Sequence, residues 1–451
     1  MSISLIVLAA GMGTRMNSDT PKVLHEVAGA PLVVHAMKAG EALDPERIVV
    51  VTGNGAERVE KAVKDWNPDT AVALQAEQLG TGHAVLQARE ALEGFEGDVF
   101  VLYGDTPFIT TETLEKMLWA RRTHDVVVLG FDVFDPTVRY GRLETEGDDL
   151  KAIVEFKDAT DEQRAISLCN SGVLCADAVT LFGLLDKVGN DNASGEYYLT
   201  DVVGLAREDG LNATVVRCPE EETLGVNTRA ELARAEVMFQ TNMRNEAMDN
   251  GVTMHAPETV IFAHDTVIGR DAIIEPNVVF GPRVTIESGA RIRAFSHLEG
   301  CHVSRGAMVG PFARLRPGAE LNEDTHIGNF VEIKNAVIDE GAKVNHLSYI
   351  GDASIGRRTN VGAGTITCNY DGVFKHKTTI GADAFIGSDT MLVAPVTVGN
   401  RAMTATGTVV TKDIPDDAMA IGRTHQENKA GFASKLFDML LAKKAKQTKG
   451  A

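Results

Sequence analysis

The sequence predicts two folds in one chain: an α/β Rossmann-like domain, then a parallel β-helix of hexapeptide repeats. Three observations predict this. Short apolar runs alternate with helix-like segments over residues 3–131. A run of helix formers, Thr228–Gln240, follows them. From about Ile268 to Val410, every sixth residue is apolar and usually branched. The expected boundaries are 1–227 for the α/β domain, 228–250 for a linker helix, and 251–451 for the β-helix with its C-terminal tail.

In the first half, residues 3–9 read as a buried strand, and Gly11–Arg15 as the loop after it. A helix is expected after Pro31, then a strand at Arg47–Thr52, a helix at Ala56–Asp65 and a strand at Ala71–Gln75. A helix at Thr81–Leu92, a strand at Asp98–Leu102, a helix at Thr111–Arg121 and a strand at Asp125–Phe131 complete the alternation. Such alternation makes a mostly parallel sheet covered on both faces. Ligands of such sheets sit at the carboxyl ends of the strands. The linker places Leu232, Ala235 and Phe239 on one helical face and ends at Asn250-Gly251, a cap signal.

In the second half the period of six runs Ile268, Ile274, Phe280, Ile286, Ile292, Leu298. It slips by one residue and resumes at Val303, Val309, Leu315, Leu321, Ile327 and Ile333. Six fits neither an amphipathic helix nor a simple alternating strand. It fits short strands with a corner after each, one side chain per face pointing inward. Each coil leaves apolar surface above and below, so coils must stack. Two places break the rhythm: Lys343–Asp352, and the excursion Thr367–Lys377. A loop extruded from a solenoid usually lies at a binding surface.

Composition narrows the function. A charged fraction of 24% with 44% hydrophobic residues is that of a soluble globular protein. The net charge of -19 argues against nucleic acid as a partner. The five cysteines are scattered, without metal spacing, which suits reduced thiols in a cytoplasmic protein. The apolar N-terminal run lacks a basic start and is too short for a signal peptide, and no stretch is long enough for a membrane span.

Two strand ends carry chemistry-bearing residues. Gly11-Met12-Gly13-Thr14-Arg15 offers small residues whose N–H groups can approach a phosphate, with Arg15 and Lys22 as cations. Asp105, ending the strand that holds Tyr103-Gly104, offers a carboxylate suited to Mg²⁺. Taken alone, the first also reads as a strand-to-helix turn and the second as a cap. In the β-helix, His346 is of a residue type whose ordinary pKa, about 6.5, suits proton transfer near neutrality. Taken alone, it also reads as a surface polar residue.

Together these motifs carry a resemblance. Leu8–Met16 with Pro21-Lys22-Val23-Leu24, Gln75–Ala84 and Tyr103-Gly104-Asp105 resemble the sugar-1-phosphate nucleotidyltransferases. Joined to a hexapeptide array, they resemble the bifunctional N-acetylglucosamine-1-phosphate uridyltransferase/glucosamine-1-phosphate acetyltransferase family. The resemblance covers about residues 3–430 and implies a left-handed coil and a homotrimer. It implies Mg²⁺ as cofactor, UTP and acetyl-CoA as co-substrates, and a product, UDP-N-acetylglucosamine, that feeds peptidoglycan and lipopolysaccharide.

The site residues follow from the same resemblance. Leu8, Ala9, Ala10, Gly11, Gln75, Gly80 and Thr81 match positions around uracil and ribose. Arg15 and Lys22 match the triphosphate contacts that drive catalysis. Tyr103, Gly141, Glu155, Asn170 and Asn227 match positions around the sugar phosphate, and Asp105 with Asn227 the metal ligands. In the β-helix, Arg316, Lys334, Tyr349, Asn360, Asn369 and Lys375 match glucosamine-1-phosphate contacts, and His346 the general base. Ala363, Asn369, Tyr370, Ser388, Thr406 and Arg423 match acetyl-CoA positions. Met12 stands where a lysine is common, and Thr406 where a smaller residue is expected.

Overall fold

The computed structural model describes residues 2–133, 135 and 137–448. The chain forms two compact units, dividing after Asn245 inside a helix, with Phe262–His264 belonging to the first.

The first unit is built on nine strands: β1 (Ile3–Ala9), β2 (Arg47–Thr52), β3 (Ala71–Leu74), β4 (Asp98–Tyr103), β5 (Val126–Asp132), β6 (Arg142–Glu146), β7 (Asp149–Val154), β8 (Leu168–Asp177) and β9 (Ala213–Arg217). Their order in the sheet is β3-β2-β1-β4-β8-β5-β9-β7-β6. Successive side chains leave opposite faces of a strand. Accordingly Ile6, Val49 and Val101 enter one core, while Leu5, Val7, Val50 and Leu102 enter another. Both faces are covered, as the unbroken apolar runs require. β1 to β4 pair in parallel.

The parallel rule ends at β8, which lies antiparallel between β4 and β5 and bulges between Asn170 and Leu174. The hairpin β6–β7 extends the far edge. These strands escape the sequence pattern for local reasons. Asn170-Ser171-Gly172 interrupts the apolar run of β8, and the edge strand Arg142–Glu146 is mostly polar. The helix expected at Thr81–Leu92 is instead a short helix, Thr81–Leu86, and a separate turn at Glu90–Leu92.

The helix α1 (Arg229–Asp249) spans the expected linker, and Gly251 follows it with φ +90°. Ala235, with Leu232 and Phe239, packs on Val27, Ala28, Leu32 and Val226. The Gln240 side chain bonds both the N–H and the carbonyl of Phe262. The first part of this helix is therefore built onto the first unit.

The second unit is a left-handed parallel β-helix. Ile273 opposes Arg291, eighteen residues on, which is three hexapeptides. The predicted inward residues Ile274, Ile286, Ile292, Leu298, Val303, Val309 and Leu315 are all buried. The coil carrying the excursion is longer, so Asn360 opposes Phe385. Corners turn through left-handed residues, commonly Asp or Asn (Asp271, Asn277, Asp324, Asn335, Asp352), whose short polar side chains tolerate that conformation. Among the described residues no helix is long and apolar enough to cross a membrane.

Candidate functional site

In the first unit, three distant segments meet at the carboxyl end of the sheet. Gly104 donates its N–H to Leu8 O (2.9 Å), locking the ends of β1 and β4 together. Val226 donates to Asp105 O (2.9 Å), which brings Asn227 beside Asp105. The Lys22 ammonium pairs with the Asp105 carboxylate and donates to Asn227 Oδ1 at 3.0 Å. Both side chains of the ion pair are largely shielded from water, so the pair is screened little.

A cavity of about 310 Å³ opens here, lined by Leu8, Ala9, Ala10, Gly11, Lys22, Gln75, Gly80, Thr81, Tyr103 and Asp105. Ten of the predicted residues thus share one wall. Gln78 and Glu196, which sequence reasoning did not single out, also line it. Arg15 does not: it stands exposed on the short turn Thr14–Met16, as does Met12 beside it.

A second group extends from Tyr103. Gly141 O accepts from Asn170 N at 2.9 Å, and Asn170 Oδ1 accepts from Gly172 N at 3.0 Å. Gly172 has φ +92°, and a Cβ there would stand 2.5 Å from Tyr103 Cε2, so the bulge of β8 seats the tyrosine ring. Burial, then the nearby Glu155 and Asp105 carboxylates, push the Tyr103 hydroxyl well above its ordinary value. It stays a neutral donor. Burial likewise raises Glu155, against the Thr200 hydroxyl that donates to it at 3.1 Å. Glu155 faces a neighbouring cavity of about 520 Å³ with Arg139, Lys157 and Arg164.

The segment Gly195–Asp201 is tied by its backbone to the cavity wall. Tyr197 exchanges backbone bonds with Leu79 and Gly82, and Leu199 N donates to Thr81 Oγ1 at 3.0 Å. A larger surface groove of about 710 Å³, beside Arg89, Phe95 and Phe182, holds none of the predicted residues.

In the β-helix, register does the placing. Asn329 opposes His346, and Val344 opposes Val361, which stacks Ala363 one coil beyond His346. Val361 opposes Ile386 and Phe385 opposes Met403, which carries the same column to Ser388 and Thr406. Arg423 donates to Thr406 O at 2.8 Å, and the Thr406 side chain is exposed. His346 Nδ1 lies 2.8 Å from Asn329 Oδ1. An amide oxygen only accepts, so Nδ1 carries the proton and Nε2 is left as the acceptor.

A second column holds the cations. Lys334 opposes Gly351, whose missing side chain leaves room for the Tyr349 hydroxyl and the Asn369 amide. Asn369 donates to Asp352, as does Asn335 (2.6 Å). Burial alone would raise Asp352, but the two donors together with the Lys334 and Lys375 ammonium groups lower it. The Lys334 ammonium depresses that of Lys375. Arg316 pairs with Glu332 at 2.8 Å, and Glu332 opposes Tyr349. Asn360 is not brought into this cluster; it lies in the other sheet, opposite Lys343. The excursion is a tight loop: His376, then the Phe374 and Val373 N–H groups, hold Asp371 at about 2. Tyr370 rides on it, exposed.

Sequence reasoning missed Asn329, Glu332, Asn335 and Asp352. The signal was present for Asn329, which sits one coil before His346. Among the described residues no group of three or more His, Cys, Asp or Glu side chains could hold a metal.

Comparison with known proteins agrees with both units. A MobA-like NTP transferase domain matches residues 5–143. Bacterial transferase hexapeptide repeats match residues 265–300, and the hexapeptide repeat of succinyl-transferase matches residues 377–412. The bifunctional protein GlmU of Ruegeria sp. (strain TM1040) is 68% identical over 450 residues, covering 100% of each chain. That of Jannaschia sp. (strain CCS1) is 64% identical over 447 residues, covering 99% of this chain and 98% of its own. That of Cereibacter sphaeroides (strain ATCC 17025 / ATH 2.4.3) is 65% identical over 449 residues, covering 100% and 99%. With such identity along its whole length, the chain belongs to the bifunctional GlmU family, and it joins the uridyltransferase and acetyltransferase activities of UDP-N-acetylglucosamine synthesis in one protein.

Proposed function

We propose that acetyl-CoA first acetylates glucosamine-1-phosphate on the β-helix, and that the product then takes a uridylyl group from UTP in the first unit. The observation that carries this is the separation of chemistries. The phosphate-type groups Lys22, Asp105 and Asn227 converge in one unit, and a histidine with an oriented acceptor nitrogen stands in the other.

In the first unit, Leu8 to Gly11, Gln75, Gly80 and Thr81 hold the uridine. Gly141, Glu155, Asn170 and Tyr103 hold the sugar. An oxygen of the sugar phosphate attacks the α-phosphorus of UTP, and pyrophosphate leaves. Both reactants are anionic, so alignment and charge neutralisation carry the rate, with no protein nucleophile. Lys22 supplies one cation at the cavity wall, and Arg15 supplies the other from the exposed loop. Asp105 and Asn227 would hold Mg²⁺; that their two oxygens already share one ammonium supports a cation site there. When bound, the ion supplies further neutralisation of the phosphates.

In the β-helix, Arg316, Lys334, Tyr349, Asn369 and Lys375 bind glucosamine-1-phosphate, and Asn360, outside that cluster, contributes from the sheet that carries His346. His346 Nε2 takes the proton from its ammonium, the freed amine attacks the thioester carbonyl, and coenzyme A leaves as the thiol. Ala363, Asn369, Tyr370, Ser388, Thr406 and Arg423 hold acetyl-CoA. That four of the residues concerned, His346 among them, stack in one column supports this reading.

The working form is a cytoplasmic homotrimer joined through the β-helix. Phe295, Phe312 and Phe330 support it. They stack at 5.0 and 5.2 Å along one exposed corner, each in the left-handed conformation that costs about 1–2 kcal/mol. Stacking returns about 0.5–1.5 kcal/mol per pair, which leaves an apolar ladder still open for a partner.

The test is an omission assay. Glucosamine-1-phosphate, acetyl-CoA, UTP and Mg²⁺ are combined, and each is left out in turn. UDP-N-acetylglucosamine should form only from the full set. Uridylylation of supplied N-acetylglucosamine-1-phosphate with no acetylation would leave the β-helix a scaffold.

A further inference from the structure

The cavity of the first unit contains a polar side chain whose role is set by a residue behind it. Gln75 is 3% exposed yet lines the cavity. Its amide nitrogen lies 3.1 Å from Gly80 O and 3.1 Å from His83 Nδ1. A backbone carbonyl only accepts, so the first contact forces the nitrogen, not the oxygen, to that side. The second uses the other amide hydrogen, which requires an unprotonated Nδ1. Gln75 Oε1 is then left without a protein partner among the described residues. His83 must carry its own proton at Nε2, 3.2 Å from the Gln87 amide. Gln87 places its amide nitrogen there, donating to His83 O at 3.0 Å. A neutral imidazole cannot accept from both amides. It is half-buried Gln87 that gives up its bond to water and turns its oxygen to that proton, not Gln75, which is 3% exposed.

We propose that His83 is the residue that sets base specificity. By accepting from Gln75, it holds the amide with Oε1 facing the ligand, where the N3–H of uracil can bond it. Uracil carries that hydrogen and cytosine carries a lone pair there. Cytosine would meet acceptor against acceptor, and the buried Oε1 would go unpaired. If the imidazole were absent, one bond, to Gly80 O, would hold the amide instead of two, and turning over to present its N–H₂ to cytosine would cost that bond alone. The inference rests on the proposed uridine site, with Gln75 at the base. His83 acts through Gln75, and it is a positioning residue.

The experiment measures kcat/KM for UTP and for CTP, with N-acetylglucosamine-1-phosphate, in the full-length protein. His83→Ala should lower the UTP/CTP ratio by at least about tenfold. His83→Asn, whose Oδ1 can stand near the place of Nδ1 and accept the same hydrogen, should hold the ratio within about threefold of the parent. Acetyl transfer by the other unit reports that each variant is folded. A Gln75→Ala variant separates the two ways to fail. If it collapses discrimination while His83→Ala does not, the role of His83 is overturned. If Gln75→Ala leaves discrimination intact, Gln75 does not read the base, and the uridine assignment falls together with the proposal.

Discussion

The two units place their functional side chains by opposite means. In the first, Lys22, Asp105 and Asn227 come from segments far apart in sequence and meet only because Gly104 and Val226 tie loop to strand end. In the second, Asn329, His346, Ala363, Ser388 and Thr406 meet because a coil repeats, and each is found by adding a coil to the one before. A folded sheet gathers a site by tertiary contact, whereas a solenoid gathers one by register. The first arrangement should fail when a single loop shifts. The second should tolerate changes between columns and fail within one.

The sharpest way to separate the two is to remove one group from each. His346→Ala should lower acetyl transfer by about a thousandfold, within the range of general-base loss, and leave uridylyl transfer unchanged. Asp105→Ala should lower uridylyl transfer by about a hundredfold, with acetyl transfer intact. Chelation of divalent ions should reproduce the second pattern. Initial rates of the two half-reactions check all three.

Smaller effects test how each site is held. Asn329→Ala removes the hydrogen bond that orients His346, worth about 1.4 kcal/mol, and should lower the acetyl-transfer kcat about tenfold. A change confined to KM would mean that the contact is not used in the proton transfer. Gly172→Ala strains a left-handed bulge and pushes on Tyr103, so it should cost about 1–3 kcal/mol of stability. Its KM for N-acetylglucosamine-1-phosphate should rise several-fold, while Tm and acetyl transfer separate the local effect from global unfolding. Asp371→Asn should act least. It loosens the excursion, and limited proteolysis between Tyr370 and Lys375 should quicken while uridylyl transfer stays level.

The same contrast explains what could be read from the chain beforehand. The period of six placed the inward residues of the β-helix, because one side chain per hexapeptide must face a narrow core. It also contained Asn329 as the partner of His346, although nothing in residue type alone marks an asparagine as an orienting group. In the first unit the parallel strands were legible from unbroken apolar runs. The antiparallel strand Leu168–Asp177 was not, because its bulge puts Asn170-Ser171-Gly172 in the middle. That bulge carries Asn170, one of the residues proposed for the sugar site, so the break in the apolar pattern falls where the proposal puts the ligand. The Lys22–Asn227 contact lies beyond any spacing rule, since it depends on Val226 bonding the Asp105 carbonyl. Arg15 matched its motif, yet it remains outside the cavity wall.

The central claim is that two independent sites on two units act in sequence. A complementation assay tests it most directly. Asp105→Ala and His346→Ala proteins are each supplied with glucosamine-1-phosphate, acetyl-CoA, UTP and Mg²⁺, first separately and then mixed. The account predicts little UDP-N-acetylglucosamine from either alone and ready formation from the mixture, because the acetylated intermediate made by one protein is used by the other. Full product formation by either variant alone, or none from the mixture, would contradict it.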